Sequence, residues 1–105
     1  MAVRTAQVAA KSRKELGTRA NRRLREAGID TVIIVGTLTN VCCESSARDA
    51  MMLNYKLVFV SDANAALTDD EHNATLGSIL RVFGDVASTD DVIQLLSVTS
   101  REQAA

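Results

Sequence analysis

One short run constrains this chain more than any other. Thr31–Val32–Ile33–Ile34–Val35 is β-branched throughout, and after the first residue it contains no polar side chain. Half-buried strands alternate apolar and polar residues. An unbroken apolar run of strand length fits a strand covered on both faces, as in the interior of a parallel sheet. The rest of the sequence supplies what such a strand needs. Thr18 to Ala27 is rich in helix formers, carries Ala20, Leu24 and Ala27 at helical spacing, and meets a C-capping glycine at Gly28. After Gly36, Asn40 is placed to cap a helix from about Val41 to Leu53, with Ala47, Ala50, Met51 and Asn54 continuing its stripe. Lys56–Val60 reads as a second strand and Ser61–Asn64 as a loop.

Further on, Thr68–Asp69–Asp70–Glu71 has the form of a capping box. The helix it opens places Leu76, Ile79, Leu80 and Phe83 on one face and stops at Gly84. Asp85–Ala87 reads as a third short strand, and Ser88 or Thr89 caps a last helix, Asp90 to Leu96, followed by a loose tail. Residues 1–15 show weak periodicity and are expected to be a frayed helix or a tail. The alternation of helices and strands with short connections predicts an α/β fold, a three-layer α-β-α domain with a parallel sheet and right-handed crossovers. A sheet of three strands leaves its edges exposed, and a homo-oligomer covering them is expected.

Composition narrows the function. The 105 residues suffice for one domain, and 47% are hydrophobic. The net charge is −1, so no overall basic field points to nucleic acid. Basic residues do crowd between Arg4 and Arg25, but without interleaved aromatic side chains they read as a solvated helix face. No apolar run approaches the roughly 20 residues of a membrane helix, and the N-terminus has no secretory apolar core, so a cytoplasmic location without membrane contact is the default. Cys42 and Cys43 are adjacent, and since neighbouring residues almost never bridge to each other they form no disulfide framework and make a poor metal site. Neither a cofactor nor a metal is expected.

In parallel α/β folds, chemistry gathers at the carboxyl ends of the strands. Here that place is Gly36–Thr37–Leu38–Thr39–Asn40–Val41–Cys42, which joins the buried strand to a helix N-terminus. A thiol in the first helical turn lies in a field that favours the thiolate, and the amides of that turn are suited to an oxyanion. A buried, inert cysteine has the same spacing. Cys43 lies about 100° further round the helix and is assigned to the core. His72 is the sole histidine. It is assigned to solvent beside its helix N-terminus rather than to a Cys–His dyad. Glu44, Arg48 and Asp49 are assigned to ion pairs and caps, and Met51–Met52–Leu53 to core or interface.

The run from Gly36 to Leu76 resembles the signature stretch of the isochorismatase-like cysteine hydrolases. The matching residues are Gly36, Thr39–Asn40, Cys42, Glu44, Ala47–Arg48–Asp49–Ala50 and Ser61–Asp62–Ala63. The likeness extends over about Thr18 to Leu96. It implies the Rossmann-like fold of that family, truncated at the N-terminus, with residues 1–105 as the C-terminal half of a single domain. It also implies Cys42 as nucleophile, a cis peptide before Leu38, and an oxyanion hole from the backbone amides of Leu38 and Cys42. The implied activity is hydrolysis of C–N bonds in a small amide, carbamoyl or ureido substrate through a thioester. A cysteine at this position disfavours vinyl-ether hydrolysis. In the family, an Asp and a Lys from the N-terminal half activate the thiol. The Asp strand has no counterpart in this chain. Lys11–Ser12–Arg13 partly matches the Lys stretch, but its spacing to Gly17–Thr18 is about two residues short. The other function this leaves open is a fragment without catalytic competence, acting as a subunit partner.

Overall fold

The computed structural model describes residues 5–10 and 18–104, with side chains described from Asn21 to Val98. The elements, in order, are β1 (Thr5–Ala10), α1 (Thr18–Glu26), β2 (Thr31–Thr37), α2 (Glu44–Met52), β3 (Lys56–Ala65), α3 (Asp69–Ser78), β4 (Asp85–Ala87) and α4 (Thr89–Ala104). A π-helical turn, Thr39–Cys43, leads into α2, and a second, Ile79–Phe83, follows α3. The four strands form one sheet in the order β1-β2-β3-β4, every neighbouring pair parallel.

This order has a direct consequence for layering. Successive right-handed crossovers between sequential strands put α1, α2 and α3 on the same face of the sheet. The pleat of β2 and β3 then sorts their side chains. Val32, Ile34, Leu57 and Phe59 pack against Cys43, Ala47, Ala50 and Ile79, with Leu24, Leu76 and Phe83 closing the cluster. Ile33, Val58 and Val60 face the other way, against Val92 of α4. Val32, Ile34 and Phe59 have no exposed surface, and each contributes on the order of 1.5–3 kcal/mol by burial. The unbroken apolar run therefore has the cause inferred for it: β2 is covered on both faces and lies between β1 and β3. The second face is the thinner one. Among the described residues only α4 covers it, leaving an open apolar groove lined by Ile33, Val35, Val60, Val92, Ile93 and Leu96.

Helix ends follow local chemistry. α1 closes with Gly28 at φ 73°, its amide on the Arg25 carbonyl and that of Ile29 on Leu24. α2 closes the same way with Asn54 at φ 65°, where the amides of Asn54 and Tyr55 bond the carbonyls of Met51 and Ala50. Asn54 thus caps the helix it was expected to continue. Thr68 Oγ1 accepts from the Glu71 amide at 3.2 Å, and Ser88 Oγ from the Asp91 amide at 3.2 Å. Tyr55 donates its hydroxyl to Asn21 Oδ1 at 2.6 Å, and Arg25 stacks 4.2 Å over its ring, which ties α1 to the turn after α2.

Three expectations need correction. Residues 5–10, expected to lie in a weakly structured tail, form β1 in register with β2 from Thr5↔Thr31 to Ala10↔Gly36. Backbone pairing on an already buried neighbour compensates for an alanine-rich segment of low strand propensity. The sheet accordingly has four strands, not three. β3 continues through the supposed loop to Ala65. The tail after Leu96 continues α4 to Ala104, because no Gly or Pro after Gly84 stops it. Among the described residues, no helix is long and apolar enough to cross a membrane.

Two glycines test this packing. A Cβ on Gly84 would lie 2.7 Å from both the Cβ and the carbonyl oxygen of Leu57, so β4 approaches β3 only because that side chain is missing. A Cβ on Gly77, inside α3, meets only the mobile end of Arg81 at 3.7 Å. In urea denaturation Gly84→Ala is expected to lose about 1–3 kcal/mol. Gly77→Ala is expected to gain about 0.5–1 kcal/mol.

Candidate active site

The carboxyl end of β2 builds the site. Gly36 takes φ 134°, a conformation that side chains rarely adopt, and the Thr37–Leu38 peptide that follows is cis. The cis bond falls where the family resemblance implies one. Leu38 remains extended (φ −90°, ψ 146°) and forms the N-cap of the π turn Thr39–Cys43. Its carbonyl accepts the amides of Val41 at 3.2 Å and Cys43 at 3.1 Å, and the Glu44 amide bonds back to the Thr39 carbonyl. The helix thus begins two residues before its expected start. Asn40 lies inside the turn rather than capping it, with its Oδ1 buried and unpartnered among the described residues. The two thiols separate as their helical offset requires. Cys43 is wholly buried in the core, while Cys42 is half-buried and packs against that cluster.

His72 is placed differently from its expected position in solvent. α3 carries it over Ser61 of β3. There its Nε2 lies 2.9 Å from the Ser61 carbonyl, and its Nδ1 lies 2.8 Å from Thr39 Oγ1. A carbonyl only accepts, so Nε2–H donates to Ser61 and, in the neutral ring, Nδ1 accepts from the Thr39 hydroxyl. Both nitrogens are engaged, which removes His72 from a dyad with Cys42. Thr39 itself has no exposed surface.

The same strand end breaks register. Between Ile34↔Phe59 and Gly36↔Asn64, β2 advances by two residues and β3 by five. Such a bulge frees main-chain carbonyls. Asn64 Nδ2 satisfies two of them, Ile34 at 3.0 Å and Val60 at 2.6 Å.

Comparison with known proteins fits this geometry. The model of the isochorismatase domain matches residues 9–91. The chain belongs to the isochorismatase family. It is 38% identical over 78 residues to YwoC, an uncharacterized isochorismatase family protein of Bacillus subtilis, covering 74% of this chain and 41% of that one. It is 41% identical over 75 residues to the ureidoacrylate amidohydrolase RutB of Agrobacterium fabrum, covering 70% of this chain and 33% of that one. A crystal structure of a cysteine hydrolase from Pseudomonas syringae pv. phaseolicola superposes with TM-score 0.71 at 36% identity, covering 75% of this chain and 42% of that one. The chain therefore spans less than half the length of these relatives.

Within this isochorismatase-family chain, Glu44 and Arg48 on α2 behave as assigned. Glu44 and Arg48 pair at 3.4 Å along the helix, worth about 0.3–0.5 kcal/mol at such exposure, and Arg48 stacks 4.5 Å over Phe83. Met52 is exposed, and Leu53 packs on the core. Among the described residues no cluster of His, Cys, Asp and Glu is arranged to hold a metal ion. Lys11 lies outside the described residues. Sequence reasoning missed Asn64, and it noted Asp62 only as part of the matching stretch. The signal for Asp62 is a carboxylate placed where a helix N-terminus returns to the sheet. Its Oδ1 accepts from the Thr89 hydroxyl at 2.7 Å and the Thr89 amide at 2.8 Å. Those bonds, the hydroxyl's first, hold its carboxyl below the ordinary carboxylate range. A carboxyl lowered on folding stabilises fully above its unfolded value and loses that contribution as pH falls through the folded one. The stability gap between wild type and Asp62→Asn, read from urea midpoints, is therefore expected to be widest near neutrality and to close as pH falls below the ordinary carboxylate range.

Proposed function

We propose that this chain carries the nucleophile and oxyanion-binding half of a cysteine hydrolase acting on C–N bonds of a small amide, carbamoyl or ureido substrate. One observation carries the reading. The half-buried Cys42 lies in the first turn after the carboxyl end of β2, while its neighbour Cys43 is committed to the core. The relatives support the substrate class, since one bears the name ureidoacrylate amidohydrolase and another is a cysteine hydrolase.

In this reading the Cys42 thiolate attacks the substrate carbonyl carbon. A C–S bond forms, and the carbonyl electron pair moves onto oxygen, where the Leu38 and Cys42 amides receive it. Collapse breaks the C–N bond, and the amine leaves with a proton. Water then hydrolyses the thioester, releasing the acid and restoring the thiol. Proton transfer belongs to the Asp and Lys that the family resemblance places before α1. The chain is then the C-terminal half of the family domain, working in the cytoplasm as a homo-oligomer on a small molecule.

A second reading keeps the fold and drops the turnover. It is favoured by the open groove on the second sheet face, a surface suited to a subunit partner.

The test uses the purified chain with simple amides and N-carbamoyl compounds. The expected result is an acyl adduct mapped to Cys42 on rapid quenching and ammonia release, both lost in Cys42→Ser. Absence of both turnover and adduct, together with a self-associated chain in sedimentation, would favour the partner reading instead.

A further inference from the structure

We propose that His72 is a positioning residue for the Cys42 turn, a strut that fixes Thr39 against the Ser61 carbonyl of β3; this rests on the reading of Cys42 as nucleophile. Three observations converge on it. Thr39 opens the π turn, and its fully buried hydroxyl requires a partner. That partner is His72 Nδ1 at 2.8 Å, which comes from a different element, 33 residues away. The other ring nitrogen is not free to swing, because Nε2–H donates to the Ser61 carbonyl at 2.9 Å.

The imidazole is therefore held at both ends, one on the main chain of β3 and one on the first residue of the turn. α3 anchors it from behind, since the His72 amide bonds the Thr68 carbonyl at 3.1 Å. Thr39 is three residues from Cys42, the Val41 and Cys43 amides share the Leu38 carbonyl, and the Glu44 amide bonds the Thr39 carbonyl, so a rotation of Thr39 carries the thiol and the neighbouring amides with it. A threonine hydroxyl without an outside partner turns instead to its own helix or to water. The imidazole removes that freedom. It acts on the reaction through Thr39 and does not touch the substrate carbonyl.

The test is a variant cycle with two readouts, hydrogen exchange of the amides from Asn40 to Cys43 and the iodoacetamide rate of Cys42, at matched thermal stability. His72→Ala and Thr39→Val are each expected to speed exchange at least about tenfold and to slow alkylation by about ten- to a hundredfold. The double variant is expected to be no worse than either single one, because both break the same link. Thr39→Ser, which keeps the hydroxyl, is expected to restore both readouts. His72→Asn serves if His72→Ala fails to fold; having lost its reach to Ser61, it is expected to behave as His72→Ala does. Unchanged exchange in both single variants overturns the strut, as do additive effects in the double variant or a Thr39→Ser chain that behaves like Thr39→Val. A wild-type Cys42 that reacts no faster than in urea overturns the nucleophile reading instead, and the exchange data still decide the strut.

Discussion

Burial of β2 on both faces is the constraint from which the other features follow. Thr31, Val32, Ile33 and Ile34 are all buried, and both edges of the strand are taken by parallel neighbours. A strand in that position has no solvent face, so its side chains divide between two cores. Val32 and Ile34 order the α1–α2–α3 layer, and Ile33 meets the layer of α4. The parallel arrangement also decides where chemistry can sit. All four carboxyl ends lie at the same edge, and the chain leaves β2 there through Gly36 into the turn that carries Cys42.

That edge is irregular, and its irregularity is satisfied by side chains. Past Ile34 the ladder between β2 and β3 loses register, and main-chain groups released inside a protein must find partners. Asn64 takes the carbonyls of Ile34 and Val60, His72 takes that of Ser61, and Asp62 receives the first amide of α4. Asn64 and His72 thus serve carbonyls along the bulged strand while Asp62 caps α4, and together the three link β2, α3 and α4. The Cys42 turn is held from this framework rather than by its own cap, since Leu38 at the N-cap offers no side-chain hydrogen bond.

Features set by local periodicity or by a single dominant force were legible in the sequence. The apolar run from Thr31 to Val35, the Gly28 cap, the Thr68 cap and the burial of Cys43 beside a half-buried Cys42 belong to this class. Features set by tertiary context were not. β1 is alanine-rich and becomes a strand only by pairing with β2. β3 runs past Val60 through Ser61, Asp62 and Asn64, residues whose local preference is for turns, because their side chains serve the bulge. His72 follows a capping-box threonine, a position that usually faces water, and its two partners come from residues 33 and 11 positions away. The fold was thus largely readable, and so was the contrast between a buried Cys43 and a half-buried Cys42. The support around it was not, because long-range hydrogen bonds leave no periodic trace.

The central claim is that the turn activates Cys42, beyond merely exposing it. The most direct measurement is the rate of Cys42 alkylation by iodoacetamide near neutral pH, followed by peptide mass spectrometry, in the folded chain and in the same chain unfolded in urea. Exposure alone makes the unfolded thiol the faster one. Activation predicts the reverse, with Cys42 modified faster in the folded chain and well ahead of Cys43. A folded Cys42 that reacts no faster than the unfolded one would contradict the claim.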